Sequence, residues 1–132
     1  MQNVPMALST QDAARARSHA PDAESAARRA AEAAVEKKAE NLVLVDLRDK
    51  ATYADFLVIC SGTNERQLEA VADAVEGSLH EVGQRLIGSE GARGGRWVLL
   101  DFGDVVVHVF HQEDRAYYDL EGLWSDAKIT RL

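Results

Sequence analysis

The chain has 132 residues, 46% hydrophobic and 28% charged, with a formal net charge of −7, which suits one globular domain with one modest core. It has no run of about 18 apolar residues, so no membrane-spanning helix is expected, and a single cysteine, Cys60, rules out an intrachain disulfide. Residues 1–40 balance at six Lys/Arg and six Asp/Glu, whereas residues 41–132 hold nine against sixteen; that acidity suits solubility or a basic protein partner, not the wrapping of nucleic acid.

Residues 1–21 are polar, alanine-rich and aperiodic, and read as a mobile tail ended by Pro21. They contain neither the apolar segment of a secretory signal nor the basic excess of a transit peptide, so a cytoplasmic location is expected, with an organelle matrix as the alternative. Residues 22–132 are expected to form one domain. Asp22 stands where it can cap a helix through "AESAARRAAEAAVEKKA", whose apolar face is mostly alanine. "NLVLVDLR" predicts a strand over Leu42–Arg48, and "ADFLVICSG" a second, apolar throughout and therefore central. In "TNERQLEAVADAVEGSLHEVG", Asn64 and Gln67 have capping-box spacing, Leu68, Val71, Val75, Leu79 and Val82 form one apolar stripe, and Gly83 stops the helix. "QRLIGSE" predicts a short third strand, "GARGG" a flexible loop, and Trp97–Val109 two strands around a Phe102-Gly103 turn. The segment from Glu113 on reads as one or two helical turns and a tail, with Leu120, Leu123 and Trp124 on one core-closing face. The order of elements gives an α/β (α+β) fold with a single mixed sheet and flanking helices, without internal repeats.

The polar residues of the hairpin pose the functional question. With a Phe102-Gly103 loop, Asp101 faces Asp104, Leu99 faces Val106 and Trp97 faces His108. One face is aliphatic: Val98, Leu100, Val105, Val107 and Val109. The other carries Trp97, Leu99, Asp101, Asp104, Val106, His108 and Phe110. Facing carboxylates are mildly destabilising, and a mixed face centred on tryptophan suits a protein docking patch. A helix covering that face is the alternative. His108 and His111 point to opposite faces of a strand, and no Cys cluster or His-Glu-x-x-His occurs, so no metal is expected.

Other motifs are weaker. Ser61-Gly62 precedes a helix N-terminus and could receive phosphate, and with Asp101, Asp104 and a metal it gives the competing reading, a nucleotide- or phosphate-handling enzyme. No Asp-x-Asp pair supports that chemistry. "GARGG" lacks the Lys-Ser/Thr of a P-loop, and "DFG" at Asp101–Gly103 lacks the other kinase elements. Cys60 reads as packing. No catalytic set and no cofactor are expected.

Three stretches in order, "YADFLVICSGTNERQLEAVADAVE", "EGARGGRWVLLDFGDVVVHVF" and "DRAYYDLEGLW", resemble the ribosomal silencing factor family, also called RsfS or Iojap, from about Glu24 to about Ala127. The resemblance implies a nucleotidyltransferase-like fold without the catalytic carboxylates. It also implies binding to the large ribosomal subunit through its protein L-fourteen, and a block on joining with the small subunit that represses translation under nutrient limitation. It further implies a homodimer when free; from composition and charge, neither a membrane nor sequence-specific nucleic acid is expected as a partner. Trp97 and Leu99 match the contact strand of the family; Asp101, Asp104, His108 and Phe110 join them through the face analysis. Departures are the stretch before Asp22, Cys60 in place of a small residue, and Gly122 in place of a polar one, which could loosen the last helical turn.

Overall fold

The computed structural model describes residues 22–51, 53–91 and 95–132; the expected tail and the centre of the "GARGG" loop lie outside them. Helix α1 spans Asp22–Glu36. Its buried residues, Ala23, Ala26, Ala27, Ala30, Ala31, Ala33 and Ala34, recur at helical spacing. Such small side chains let the helix axis approach its neighbours closely, at the cost of little apolar area. Lys38 closes the helix in the left-handed region (φ 69°), where the Ala39 and Lys38 N–H groups donate back to Ala34 and Val35 carbonyls at 3.1 and 2.9 Å, a Schellman closure without glycine.

Strand β1 (Glu40–Asp46) and strand β2 (Phe56–Gly62) follow. Helix α2 (Glu65–His80) starts as its sequence suggests: the Asn64 side chain accepts from the Gln67 N–H at 2.8 Å. The Gln67 side chain reaches Thr63 N at 2.7 Å, one residue earlier than a capping box would have it. Its amide also donates to Lys37 and Lys38 carbonyls at 3.1 and 3.0 Å, which ties the end of α1 to the start of α2. Leu68, Val71, Val75 and Leu79 are buried, whereas Val82 lies beyond the helix end and is exposed. Each buried aliphatic contributes roughly 1.5–3 kcal/mol, so this stripe far outweighs the ~1 kcal/mol helix penalty of Gly77.

Strands β3 (Gly88–Glu90), β4 (Trp97–Asp101) and β5 (Val105–His111) come next, then the short helices α3 (Gln112–Tyr118) and α4 (Leu120–Leu123), and strand β6 (Lys128–Arg131). The six strands form one mixed sheet in the order β3-β4-β5-β2-β1-β6. Among the described residues, only β2 and β5 pair in parallel. Both are buried along their whole length, which is why "FLVICSG" shows no alternation.

The sheet separates two cores. On one side α1 and α2 pack against Leu44, Phe56, Val58, Cys60, Leu100 and Val107. On the other, Val43, Val45, Leu57, Ile59, Val106 and Phe110 form a smaller cluster with Leu120, Trp124 and Ala127 against it.

Three expectations need correction here. The segment read as a tail forms β6, which pairs with β1 from Val43↔Arg131 to Asp46↔Lys128. Leu120 and Trp124 do pack on the second core, but Leu123 is 70% exposed: α4 ends at Leu123, and Trp124 leaves helical geometry (φ −111°, ψ 35°), so Leu123 and Trp124 do not share a helical face. Gly122 does not loosen the turn. Its N–H donates to Asp119 Oδ1 at 3.1 Å, and a Cβ at this position would overlap the Asp119 carboxylate.

Candidate docking surface around Trp97

The hairpin turn lies one residue later than its sequence suggests. Gly103 takes φ 89° and, with Asp104, occupies the two central positions between Phe102 and Val105, closed by Phe102 N–H to Val105 O at 2.9 Å. Positive φ at the first central residue only is the geometry that selects glycine there. Asp101 consequently faces Val106, Leu99 faces His108, and Trp97 faces Phe110. The shift is two residues across the pair, so each residue stays on its expected face while its partner changes. The expected Asp101–Asp104 confrontation does not exist. The Asp101 carboxylate instead accepts from the Gly103 N–H at 2.8 Å, stabilising the turn.

Trp97 is half-buried within a set of rings. Its indole lies 4.8 Å from the Phe110 ring, 4.6 Å from Tyr118 and 5.7 Å from His108. Its Nε1–H donates to His108 Nδ1 at 3.0 Å. That bond requires a neutral imidazole with its proton on Nε2, and burial favours the same form, pulling the His108 pKa down to about 4. Leu99 is half-buried beside it, as are Asp101 and Asp104 at the turn end. Phe110 is fully buried; it backs the indole from beneath and presents no surface. Tyr118 and Tyr117 extend the aromatic row outward, 45% and 83% exposed. The hairpin face analysis does not reach Tyr118, which lies outside both strands and comes to Trp97 from α3. The start of β4 is fixed by Arg96, which pairs with Asp114 and Glu113 at 2.8 and 2.9 Å.

The residues of the competing enzymatic reading are not brought together. Phe56 pairs with Val105 and Ser61 with Phe110, so Ser61-Gly62 and the Asp101/Asp104 turn sit at opposite ends of the sheet, roughly 17 Å apart at strand rise. The Ser61 hydroxyl is buried and accepts from Arg115 Nη1 at 2.9 Å. Burial pushes the Cys60 thiol up to about 12, which suits packing and not nucleophilic attack. His111 caps α3, accepting from Glu113 N at 3.2 Å. Among the described residues, no group of three or more His, Cys, Asp or Glu is placed to hold a metal ion, and no helix is long and apolar enough to cross a membrane.

The sequence profile of the family described as "Ribosomal silencing factor during starvation" matches residues 20–132. The chain belongs to the ribosomal silencing factor family. A ribosomal silencing factor of Halalkalibacterium halodurans is 45% identical over 97 residues, 74% of this chain and 83% of that one. One from Bacillus subtilis is 42% identical over 103 residues, 78% and 87% of the two chains. The crystal structure of a Chromobacterium violaceum protein superposes with a TM-score of 0.75 at 36% identity, covering 77% of this chain and 85% of that one. A Bacillus halodurans crystal structure gives 0.69 at 41% identity, over 80% and 95%. Membership in the ribosomal silencing factor family gives the chain a role in translation regulation.

Proposed function

We propose that this protein docks on the large ribosomal subunit through its protein L-fourteen, using the Trp97 face of β4 and β5, and thereby sterically blocks joining with the small subunit. On this reading it represses translation under nutrient limitation, acts in the cytoplasm as a binding factor without cofactor or catalysis, and forms a homodimer when free. The observation that carries the reading is the half-exposed indole of Trp97, held by three rings and a hydrogen bond. A rigid aromatic anchor with little rotamer freedom left to lose is the usual centre of a docking hot spot. Leu99 extends its apolar surface, and Asp101 and Asp104 supply charge at the turn end for a basic partner. His108 and Phe110 act from below by fixing the indole. The net charge of −7 would speed encounter with a basic ribosomal protein and make binding salt-sensitive.

The test is sedimentation of the protein with separated ribosomal subunits, with and without Trp97→Ala. Wild type is expected to travel with the large subunit and to prevent joining. The variant should lose at least about 2 kcal/mol of binding while staying folded. Equal binding by the folded variant would remove Trp97 from the contact.

A further inference from the structure

Arg115 is buried although it carries a charge. It lies on α3, and its guanidinium is divided between two tethers. Nη1 donates to Ser61 Oγ at 2.9 Å; Nε and Nη2 donate to Glu121 Oε2 at 3.2 and 2.8 Å. Ser61 belongs to the central strand β2 and Glu121 to α4, so one side chain joins three elements. Taking a guanidinium and a carboxylate out of water is costly, and apolar replacements of similar volume are often as stable. Stability alone therefore gives no reason for the pair. The gain from a forked, directional donor is geometry.

Geometry is what this corner needs. Helix α3 has seven residues, too few to be stable in isolation, so its orientation comes from anchors. Asp119, in the left-handed region, breaks the phase between α3 and α4. Arg115 and Tyr118 are three apart and therefore neighbours on the helix surface; holding Arg115 fixes the rotation at which Tyr118 projects. The Tyr118 ring then lies 4.6 Å from Trp97.

We propose that Arg115 is a positioning residue of the docking surface: by pinning α3 to Ser61 and α4 to Glu121, it seats Tyr118 on Trp97 and presets the patch for its partner. Its ribosomal consequence rests on the docking reading above; the seating of Tyr118 does not.

The experiment uses the full chain in a Trp124→Phe background, so that one indole N–H signal, that of Trp97, is followed by NMR. Arg115→Met, Arg115→Lys and Tyr118→Ala are compared, with the Arg115→Met/Tyr118→Ala double variant and the milder Glu121→Gln. Cooperative urea unfolding checks that each is folded. Arg115→Met is expected to move the Trp97 indole signal in the direction that Tyr118→Ala moves it, and to weaken large-subunit binding by about tenfold through lost preorganisation. Arg115→Lys, which keeps the charge but not the fork, should follow it. In the Tyr118→Ala background the Arg115→Met change should cost no more than about twofold, because residues acting through one contact are not additive. An unmoved indole signal in folded Arg115→Met, or full additivity of the two binding losses, overturns the proposal. If Arg115→Met does not fold, Glu121→Gln and Arg115→Lys carry the same two readouts. If wild type does not bind large subunits, the docking reading fails, and the indole signal alone decides the role of Arg115.

Discussion

Lowering the pH from 7 to 5 should act on the fold through His108. The ring is buried, and burial holds its pKa at about 4, below the ordinary histidine value of 6.5. Between those values the unfolded chain takes up a proton that the folded chain refuses. The contribution of His108 is therefore fully present above pH 6.5 and is lost as the pH falls toward 4. The slope inside the window is about 1.4 kcal/mol per pH unit, which integrates to about 2 kcal/mol between pH 7 and pH 5. Its structural origin is specific. Protonation would place a second donor against the Trp97 Nε1–H, now 3.0 Å from His108 Nδ1, and leave a buried cation among rings. The carboxyls of Asp46 and Asp114 sit below their ordinary 3.8 because Arg48 and Arg96 donate to them, so their contribution is lost only at lower pH. Urea unfolding at pH 7 and pH 5, for wild type and for His108→Gln, isolates the effect. Wild type should lose about 2 kcal/mol more than the variant over this interval. A difference below about 0.5 kcal/mol would refute the assignment of that proton to the buried ring.

Phe110→Ala, which empties the space under the indole, is expected to cost about 3–5 kcal/mol in urea unfolding and to weaken large-subunit binding although Phe110 touches no partner. Gly77 is exposed within α2, with nothing within 4 Å of an added Cβ; Gly77→Ala should raise stability by about 0.5–1 kcal/mol, and a loss would show that α2 needs that gap. Cys60, fully buried with its thiol pushed up to about 12, should resist alkylation in the native protein and react only on unfolding; mass spectrometry of a pulse-labelled sample reads this directly.

Much of the architecture was legible because pattern and burial agree. An unbroken apolar strand meant a central one, and a stripe from Leu68 to Leu79 meant the inner face of α2. The two faces of the hairpin were legible even though its turn was misplaced, since a two-residue slip preserves parity. The turn itself was decided by which neighbour of Gly103 completes a two-residue loop, a choice that local sequence leaves open. Strand β6 was missed because "KITR" is short and charged at both ends; the apolar partner that makes it a strand, β1, is distant in sequence. Leu123 falls off the expected face because helical spacing extends through Trp124 only if the helix does, and α4 ends at Leu123. The core of the candidate patch, Trp97 beside Leu99, was legible from alternation. The burial of Phe110 beneath it was not, since a strand pattern names a face without saying what lies over it. Arg115 gave no signal, because its inward turn depends on Ser61 and Glu121 meeting it in space.

The pairing of β1 with β6 and of β2 with β5 also has a consequence in time. Chains are made in one direction, and this sheet cannot be assembled in that order. When β2 has been made, its parallel partner is still to come, beyond α2 and the β3–β4 segment. A strand buried along its whole length in the finished fold must wait with an open edge, the condition in which nascent chains associate wrongly, and its pairing is of the slow, non-local kind. Val43 waits longer, until Arg131 has been added. The indole of Trp97 likewise has no floor until Phe110 is made and no flank until Tyr118 follows. On the proposed docking reading, a chain still being synthesised would lack a finished face, and the ribosome making this protein would be shielded from it until nearly all of the sheet has emerged.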